Sequence, residues 1–292
     1  MNSRTCMTVA QALHTAQLRI AQVDARLLLQ HALGKSPAQL LAYPEQVLTP
    51  AEEKLFLDLA ERRANGEPVA YLIGEREFYS LNFRVSPAVL IPRPETELLV
   101  DLALERIPAN HPCKVLDLGT GSGAIAISIA KHRPLARVTA VDASDDAVAI
   151  ASMNARQLEA NNVRIVAGNW FNGLAGEKFD LIVSNPPYVA NGDPHLGQGD
   201  LRFEPRAALA AGADGLDCLR SIAAAAATHL LAGGWLLLEH GYDQAGACGK
   251  LLAEAGFGEG FSRPDLAGVM RVSGGRANGA GAKMQHSGAR AS

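Results

Sequence analysis

The residues best suited to chemistry are Asn185, Pro186, Pro187 and Tyr188, which follow the apolar run Phe179–Ser184. The two prolines fix φ and lack N–H groups, so this loop is stiff and presents carbonyl oxygens. The Asn185 side-chain oxygen and the Pro186 carbonyl could accept both hydrogens of a planar NH2 group, and Tyr188 adds a flat face. An amide nitrogen attacks poorly because its lone pair is delocalised, so positioning it against an electrophile would supply most of the rate. A plain strand-end turn with a capping asparagine is the alternative interpretation.

A glycine-rich turn lies between the apolar run Lys114–Leu118 and a helical pattern, and it consists of Gly119, Thr120, Gly121, Ser122 and Gly123. Such glycines let the main chain turn tightly and let a ligand lie directly on the backbone at a helix N-terminus. Asp142 follows 19 positions after Gly123, where a carboxylate would accept hydrogen bonds from two ribose hydroxyls. The pattern indicates an adenosine-containing cofactor. NAD competes as that cofactor, since the same turn also fits the dinucleotide fingerprint.

The composition is that of a globular protein without a broad charged surface. Of the 292 residues, 48% are hydrophobic and 20% charged, which is enough apolar material for a core. The 27 Lys and Arg against 30 Asp and Glu argue against a general footprint for nucleic acid or an anionic membrane. The apolar stretch from Ala223 to Leu238 is broken by two glycines and is too short to span a membrane. Arg4 is not followed by the apolar segment of a signal peptide.

Neither metal-binding nor redox spacing is present. The eight histidines show no paired spacing with carboxylates or cysteines, so we expect no metal. The four cysteines are scattered along the chain at Cys6, Cys113, Cys218 and Cys248. This spacing indicates free thiols in a reducing compartment, so the sequence predicts a cytoplasmic protein.

We predict that residues 1–67 form a small all-α bundle. Thr49 and Glu52 have the spacing of a capping box, and Gly66 marks the end of the helix that follows. Two earlier helices are predicted over Val9–Leu18 and from Asp24 to Gly34. Residues 68–94 are predicted to be a β-hairpin linker, in which Phe78–Val85 is β-rich and Asn82 is the turn residue.

Residues 95–276 are predicted to form a doubly wound, Rossmann-like α/β sheet, because short apolar runs alternate with helical patterns. The strand runs are Lys114–Leu118, Val138–Asp142, Val163–Ala167, Phe179–Ser184 and Trp235–Glu239. The helical patterns are Ala124–His132, Ser144–Gln157, Leu216–Leu231 and Gln244–Ala255. Gly274 stands where an apolar residue is expected, so we expect an irregular last strand over Val269–Gly274. Residues 277–292 are low in large apolar residues and are predicted to be a disordered tail.

Three ordered motifs resemble a known family. The glycine turn with Asp142 resembles the cofactor motifs of S-adenosyl-L-methionine-dependent class I methyltransferases, and Asn185–Tyr188 is similar to their signature for methylating planar amino groups. Together with Ile91–Glu97 and Asp200–Pro205, these motifs resemble the protein-glutamine methyltransferases that modify peptide chain release factors. The resemblance runs over nearly the whole chain, to about Arg276. It implies methyl transfer to the side-chain amide nitrogen of the glutamine in a Gly-Gly-Gln loop, which supports translation termination and requires no metal.

The resemblance also implies roles for individual residues. Gly119 to Gly123 would contact the methionine and ribose of the cofactor, and Asp142 would accept from the ribose hydroxyls. Trp170 would lie near the adenine, and the alternative is that Trp170 is a plain core residue. The substrate glutamine would be bound by Asn185, Pro186, Pro187 and Tyr188. Arg93 and Glu95 would shape the pocket, although a structural ion pair explains them equally well, and Glu204 and Arg206 would be a surface pair.

The predicted partner is therefore a release factor, which the N-terminal helices help to dock. We expect no binding of nucleic acid or a membrane, and we expect the enzyme to be a monomer. Two other functions compete with this one. A nucleic-acid methyltransferase would act on exocyclic amino groups, which have the same planar geometry as an amide NH2. The net charge of -3 argues against this function. An NAD-dependent oxidoreductase would use the same glycine turn.

Overall fold

The computed structural model describes residues 6–278. The predicted tail over 277–292 lies outside this range except for its first two residues, and Ala277 belongs to the last strand. No helix within residues 6–278 is long and apolar enough to cross a membrane.

Five helices build the N-terminal region, and their bounds are α1 Val9–Gln17, α2 Gln22–Leu33, α3 Pro37–Ala42, α4 Pro50–Ala64 and α5 Val69–Ile73. The three predicted helices are confirmed, and the Thr49–Glu52 capping box is present at the start of α4. The two helices that we did not predict are only six and five residues long, too short for a periodic pattern. The bundle packs around fully buried Leu28, Leu29 and Phe56.

A β-hairpin follows the bundle, with strands β1 Glu75–Phe78 and β2 Leu81–Arg84. The prediction of Asn82 as the turn residue is wrong, because Asn82 pairs with Glu77 inside the ladder. The turn consists of Tyr79 and Ser80, which both have left-handed φ values of 51° and 60°. Hydrogen bonds compensate for this conformation, since the Tyr79 N–H donates to Glu97 and the Ser80 N–H donates to Glu77.

The remaining chain forms a seven-stranded sheet flanked by helices. Its strands are β3 Lys114–Leu118, β4 Arg137–Asp142, β5 Val163–Ala167, β6 Phe179–Ser184, β7 Leu230–Glu239, β8 Phe257–Pro264 and β9 Met270–Ala277. Its helices are α6 Glu97–Arg106, α7 Ala124–His132, α8 Asp145–Gln157, α9 Asp217–Ala226 and α10 Ala245–Glu254. The strand order is β5-β4-β3-β6-β7-β9-β8, with β3 to β7 parallel and the last two strands antiparallel to their neighbours.

All five predicted strands are present, and the doubly wound α/β class is confirmed. The helix predicted over Leu216–Leu231 ends earlier, at Ala226, because Leu230 already pairs with Phe179 of the neighbouring strand. The expected irregularity of the last strand is present in its pairing: β9 is continuous over eight residues, but its register with β8 shifts between Arg263 and Pro264, which pair with Val272 and Met270. Gly274 is required there by close packing, because a Cβ at this position would lie 2.6 Å from Leu237 and 2.7 Å from Phe261.

The strand order reverses between β3 and β6. The chain leaves β3 toward β4 and β5 and then returns to pair β6 with the other side of β3. Ligands of open α/β sheets bind at such a switch point, outside the carboxyl ends of the strands. The glycine turn after β3 and the Asn185 loop after β6 therefore flank the expected binding crevice.

Candidate active site

The glycine turn is held in place by the neighbouring strand β4. The N–H groups of Gly119 and Thr120 donate to the Val141 carbonyl at 2.9 and 3.0 Å. The Gly121 N–H donates to the Asp142 carboxylate at 2.8 Å, and the second carboxylate oxygen accepts the Ser144 N–H at 3.0 Å. Asp142 thus fixes the turn and the start of α8 at once, while its side chain stays partly exposed toward the crevice.

A cleft of about 370 Å³ opens at the switch point, and we call it the inner cleft. Six of the predicted site residues line it, namely Gly119, Gly121, Asp142, Trp170, Asn185 and Pro187. The Trp170 ring lies over Gly119, since a Cβ there would be 3.5 Å from the ring. Trp170 itself has a left-handed φ of 50°, a strained conformation of the kind that occurs at binding sites.

These residues fit an adenosine-containing cofactor. A Cβ at Gly121 would meet nothing within 4 Å, so the bare backbone here faces open space in which a ligand can lie against it. The turn leads directly into the N-terminus of α7, which favours an anionic group such as a carboxylate. A carboxylate at Asp142 can accept from a diol, and the indole of Trp170 offers a flat apolar surface.

Four other predicted residues lie close by without lining the inner cleft: Thr120, Ser122, Gly123 and Pro186. The Thr120 hydroxyl turns inward and donates to Asp117 at 2.6 Å. The Ser122 carbonyl accepts a hydrogen bond from Asn154, whose amide also bonds to both backbone groups of Arg84 in the hairpin. Gly123 and Pro186 are buried. These four residues therefore shape the backbone around the inner cleft.

Asp117 is a buried acid that the sequence analysis missed. It lies in β3 directly before the glycine turn and is completely buried. Burial raises the pKa of Asp117 to about 7, although the Thr120 hydroxyl lowers it. Its Oδ1 atom has no hydrogen-bond partner among residues 6–278. The signal in the sequence that could have identified Asp117 is its position as a polar residue inside the buried strand that precedes the glycine turn.

A second opening, of about 580 Å³, lies on the other side of the Asn185 loop, and we call it the outer cavity. Its walls include three predicted residues, Arg93, Glu95 and Tyr188, together with Glu239 and Arg271. Segment 195–201, which forms 3-10 turns, supplies the remaining wall. The Asn185–Tyr188 loop thus contributes to both openings, with Asn185 in the inner cleft and Tyr188 in the outer cavity.

The ion pairs around the outer cavity differ from the expected ones. Arg93 pairs with Glu204, whose side chain is completely buried and also accepts the Ile91 N–H at 3.0 Å. Arg93 therefore does not pair with Glu95, which is exposed. The interpretation of Glu204 and Arg206 as a surface pair is wrong as well, because Arg206 donates to the Asn191 carbonyl instead. The buried Arg93–Glu204 pair joins the segment before α6 to the loop after β6.

Glu239 ends β7 at the same sheet edge and is 1% exposed. Burial raises the pKa of Glu239 to about 7, while the nearby Thr96 and Tyr188 hydroxyls and the Arg271 charge lower it. The Tyr188 hydroxyl donates to Glu239 over a long 3.4 Å, and burial likewise raises the pKa of Tyr188. Glu239 is not among the predicted site residues, although a polar residue at the end of an apolar strand was a usable signal.

The orientation of Asn185 is set by Thr96, a buried residue at the start of α6. The Asn185 side-chain NH2 donates to the Thr96 hydroxyl oxygen at 3.1 Å. With its NH2 used in this way, Asn185 has its carbonyl oxygen left to accept hydrogen bonds from a ligand. The arrangement suits a ligand with an NH2 group.

No group of three or more His, Cys, Asp or Glu side chains within residues 6–278 could hold a metal ion. All four cysteines are free, with Cys113 and Cys248 buried. Burial raises the pKa of the Cys113 thiol to about 11, which makes it a poor nucleophile.

Two family models match the chain. One, described as the PrmC N-terminal domain, matches residues 7–74, and the other, described as the methyltransferase small domain, matches residues 96–199. The first covers the helical bundle through α5, and the second begins at Thr96 and includes the glycine turn and the Asn185 loop.

Relatives named release factor glutamine methyltransferase are similar over most of their length. The one from Bordetella pertussis is 52% identical over 257 residues, covering 88% of this chain and 95% of the relative. The one from Xylella fastidiosa strain Temecula1 is 52% identical over 267 residues, covering 91% and 97%. The one from Burkholderia pseudomallei is 50% identical over 279 residues, covering 93% and 97%.

Solved structures share the fold at much lower identity. A methyltransferase from Pyrococcus furiosus aligns with a TM-score of 0.53 at 18% identity, covering 76% of this chain and 98% of that one. The hMettl16 catalytic domain in complex with MAT2A 3'UTR hairpin 6 aligns with a TM-score of 0.56 at 16% identity, covering 75% of this chain and 81% of that one. At these identities the likeness supports the methyltransferase fold of the sheet.

Proposed function

The chain belongs to the release factor glutamine methyltransferases, and we propose that it transfers a methyl group from S-adenosyl-L-methionine to the glutamine of the Gly-Gly-Gln loop in peptide chain release factors. The observation that carries the proposed site is the placement of Asn185 in the same cleft as Gly119, Gly121 and Asp142, with its oxygen left to accept hydrogen bonds. The comparisons do not favour nucleic acid methylation or an NAD-dependent reaction, because the three relatives described above, which are 50–52% identical, carry the release factor name.

The cofactor would be held in the inner cleft by three features of this chain. Backbone at Gly119 and Gly121 would lie against the methionine part, and the Asp142 carboxylate would accept from the ribose hydroxyls. The Trp170 ring would cover the adenine. The bound sulfonium supplies an electrophilic methyl group, so the protein needs neither a metal nor a covalent nucleophile.

The substrate amide would be bound where the inner cleft meets the Asn185 loop. The Asn185 oxygen would accept one N–H hydrogen of the glutamine side chain, and the carbonyl of Pro186, a buried residue next to Asn185 in the same loop, would accept the other, which together would hold the nitrogen in place. The glutamine nitrogen, held by Asn185 and Pro186, would take the methyl group that the bound cofactor would supply; the electron pair of the broken bond would remain on the cofactor, and the nitrogen would release one proton to solvent. Asn185 and Pro186 contribute orientation, which is worth several kcal/mol in well-positioned reactions, up to about 7–11.

The outer cavity would accept the main chain around the glutamine. Tyr188 and Pro187 form its border with the inner cleft, and Arg93 and Glu95 form the rim. Segment 195–201 closes this cavity on one side and contacts the helical bundle, where Arg63 of α4 pairs with Asp200 at 2.9 Å. This contact places the bundle beside the outer cavity, in line with the proposed docking domain at residues 1–67, a linker at 68–94 and a methyltransferase domain at 95–276.

We also propose that the enzyme works as a monomer in the cytoplasm. The four free cysteines suit a reducing compartment. Light scattering of the purified protein at micromolar concentration measures the oligomeric state, and a stable dimer would contradict the first part of the proposal.

The test of the proposed site compares Asn185→Ala with Asn191→Ala, since both remove an asparagine side chain and Asn191 is exposed outside both openings. We expect Asn185→Ala to lower methyl transfer to a purified release factor by at least about a hundredfold, while the affinity for S-adenosylhomocysteine changes less than about threefold. Asn191→Ala should retain normal activity. Loss of cofactor affinity in step with activity would contradict the separate roles given to Asn185 and the glycine turn.

A further inference from the structure

The Arg93 side chain is anchored by a buried carboxylate. Its guanidinium Nη2 donates to Glu204 Oε1, and the Glu204 side chain is completely buried. The other carboxylate oxygen, Oε2, accepts the Ile91 N–H at 3.0 Å. The two oxygens of Glu204 therefore hold the same short stretch of chain, one through its backbone and the other through the arginine two residues later.

The rest of the Arg93 guanidinium is available to the outer cavity. Arg93 lines this cavity, and its side chain is 31% exposed. A guanidinium carries several N–H donors, and Glu204 is the only group within residues 6–278 to which the Arg93 side chain donates. Most of the donors of Arg93 can therefore bond to a molecule that enters the outer cavity.

The different burial of the two charges gives them different roles. Glu204 has no access to solvent, so a Glu204 carboxylate without its arginine would be a buried unpaired charge, which is strongly unfavourable. Arg93 has one side against this carboxylate and another side in the cavity, so it can keep the pair and contact a ligand at the same time. Glu204 thus acts as an anchor for a charge that faces the cavity.

Backbone donors are scarce around Arg93. Pro92 and Pro94 flank it in the sequence, and Pro186 and Pro187 lie in the loop that separates the two openings. Proline has no N–H group, so these stretches of main chain offer carbonyl oxygens only. The glycines of a Gly-Gly-Gln loop have no side chains, so a protein recognises them through their backbone groups, and their carbonyls need donors. The planar guanidinium supplies several donors in a fixed arrangement.

We propose that Glu204 is a positioning residue, which holds the Arg93 guanidinium so that its remaining donors meet the main-chain carbonyls of the Gly-Gly-Gln loop. The inference rests on the proposed function, in which the main chain around the glutamine enters the outer cavity. An arginine side chain has many rotamers, and fixing one of them during binding costs free energy. Because Glu204 fixes the rotamer before the substrate arrives, this cost does not reduce the affinity for the release factor.

The test measures methyl transfer to a purified release factor. Glu204→Gln keeps the size of the side chain and an oxygen for the Ile91 N–H, but it removes the charge that holds Arg93. We expect KM for the release factor to rise about tenfold, with kcat and the affinity for S-adenosylhomocysteine changed less than about threefold. Glu177→Gln is the matched control and should leave KM unchanged, because Glu177 pairs with Arg164 at 2.7 Å outside both openings.

A double variant separates positioning from a purely structural ion pair. Arg93→Met combined with Glu204→Gln removes both charges and leaves none unpaired, so its Tm should lie within about 3 °C of that of the unmodified protein, or above it. If the pair is only structural, KM for the release factor recovers together with stability. We expect KM to stay about tenfold raised, because the guanidinium donors are absent.

Binding of S-adenosylhomocysteine reports whether each variant is folded. If Glu204→Gln does not bind it, Glu204→Asp replaces this variant, since it keeps the charge, shortens the side chain and should raise KM severalfold. An unchanged KM for the release factor in the Glu204 variant, or a normal KM in the double variant, would overturn the inference. Absence of any release factor methylation by the unmodified enzyme would instead overturn the proposed function.

Discussion

Gly123 provides a quantitative test of how the glycine turn is built. Its φ is +84°, and a Cβ there would lie 2.9 Å from the Ile127 Cδ1 atom and 3.3 Å from the Ala151 Cβ atom. Both neighbours are completely buried, so neither can move aside freely. Gly256 is a matched control, because it has the same φ of +84° and a Cβ added there would meet nothing within 4 Å.

The magnitudes follow from two separate costs. An L-residue in the left-handed region costs about 1–2 kcal/mol, and this cost applies equally to Gly123→Ala and Gly256→Ala. The overpacking against Ile127 and Ala151 adds about 1–3 kcal/mol for Gly123→Ala alone. We therefore expect Gly123→Ala to be less stable than Gly256→Ala by about 2 kcal/mol, which corresponds to roughly 4–8 °C in Tm for a protein of this size.

The assay is thermal and urea unfolding of both variants beside the unmodified protein. Gly121→Ala serves as a third variant, because its φ is +56° and its methyl group would project into the inner cleft without touching protein atoms. Its stability should resemble that of Gly256→Ala, while its affinity for S-adenosylhomocysteine should fall at least about tenfold. Equal stability losses for Gly123→Ala and Gly256→Ala would refute the packing argument for the turn.

Three further predictions concern charged residues. Asp142→Asn should weaken S-adenosylhomocysteine binding about 10- to 100-fold in calorimetry, because it removes a charged acceptor. The control Asp146→Asn, on the exposed side of α8, should leave binding unchanged. Equal effects of the two substitutions would contradict the role assigned to Asp142. The folded protein keeps the Glu239 proton up to about pH 7, whereas the unfolded chain releases it near pH 4.5. Protonation of Glu239 therefore stabilises the folded protein at low pH, and this stabilisation is lost as pH rises through 7. Glu239→Gln should therefore gain stability relative to the unmodified protein between pH 5 and 8 by at most about 3 kcal/mol in urea titrations, and a pH-independent difference would contradict this. Arg63→Ala breaks the pair with Asp200 and should speed tryptic cleavage after Arg202, which directly follows segment 195–201, severalfold, and unchanged cleavage at Arg202 would count against the contact.

The central strands β3, β4 and β6 were predictable from the sequence because they are buried on both faces. Runs such as Phe179–Ser184 are almost continuously apolar and end in Gly, Asp or Asn, so both the strand and its functional end can be identified from one sequence. An apolar pattern does not show where an element ends. Leu230 could extend either a helix or a strand, and only its pairing with Phe179 shows that it belongs to the strand.

The parts of the site that could not be predicted depend on contacts between distant segments. Glu204 is separated by 111 residues from Arg93, its buried partner, so its environment cannot be inferred from neighbouring residues. Thr96 is 89 residues from Asn185, and nothing in the motif around it indicates which amide it would bond to. The hairpin turn at Tyr79 and Ser80 lacks the usual glycine or asparagine because hydrogen bonds from its own backbone to acidic side chains hold it.

The central claim is tested most directly by locating the methyl group on the product. A purified release factor and a matched version with its Gly-Gly-Gln glutamine changed to alanine are incubated with the enzyme and S-adenosylmethionine, and each is then analysed by peptide mass spectrometry. We predict the addition of one methyl group on the glutamine side chain of the first protein and none on the second. Methylation of both proteins to the same extent, or of neither, would contradict it.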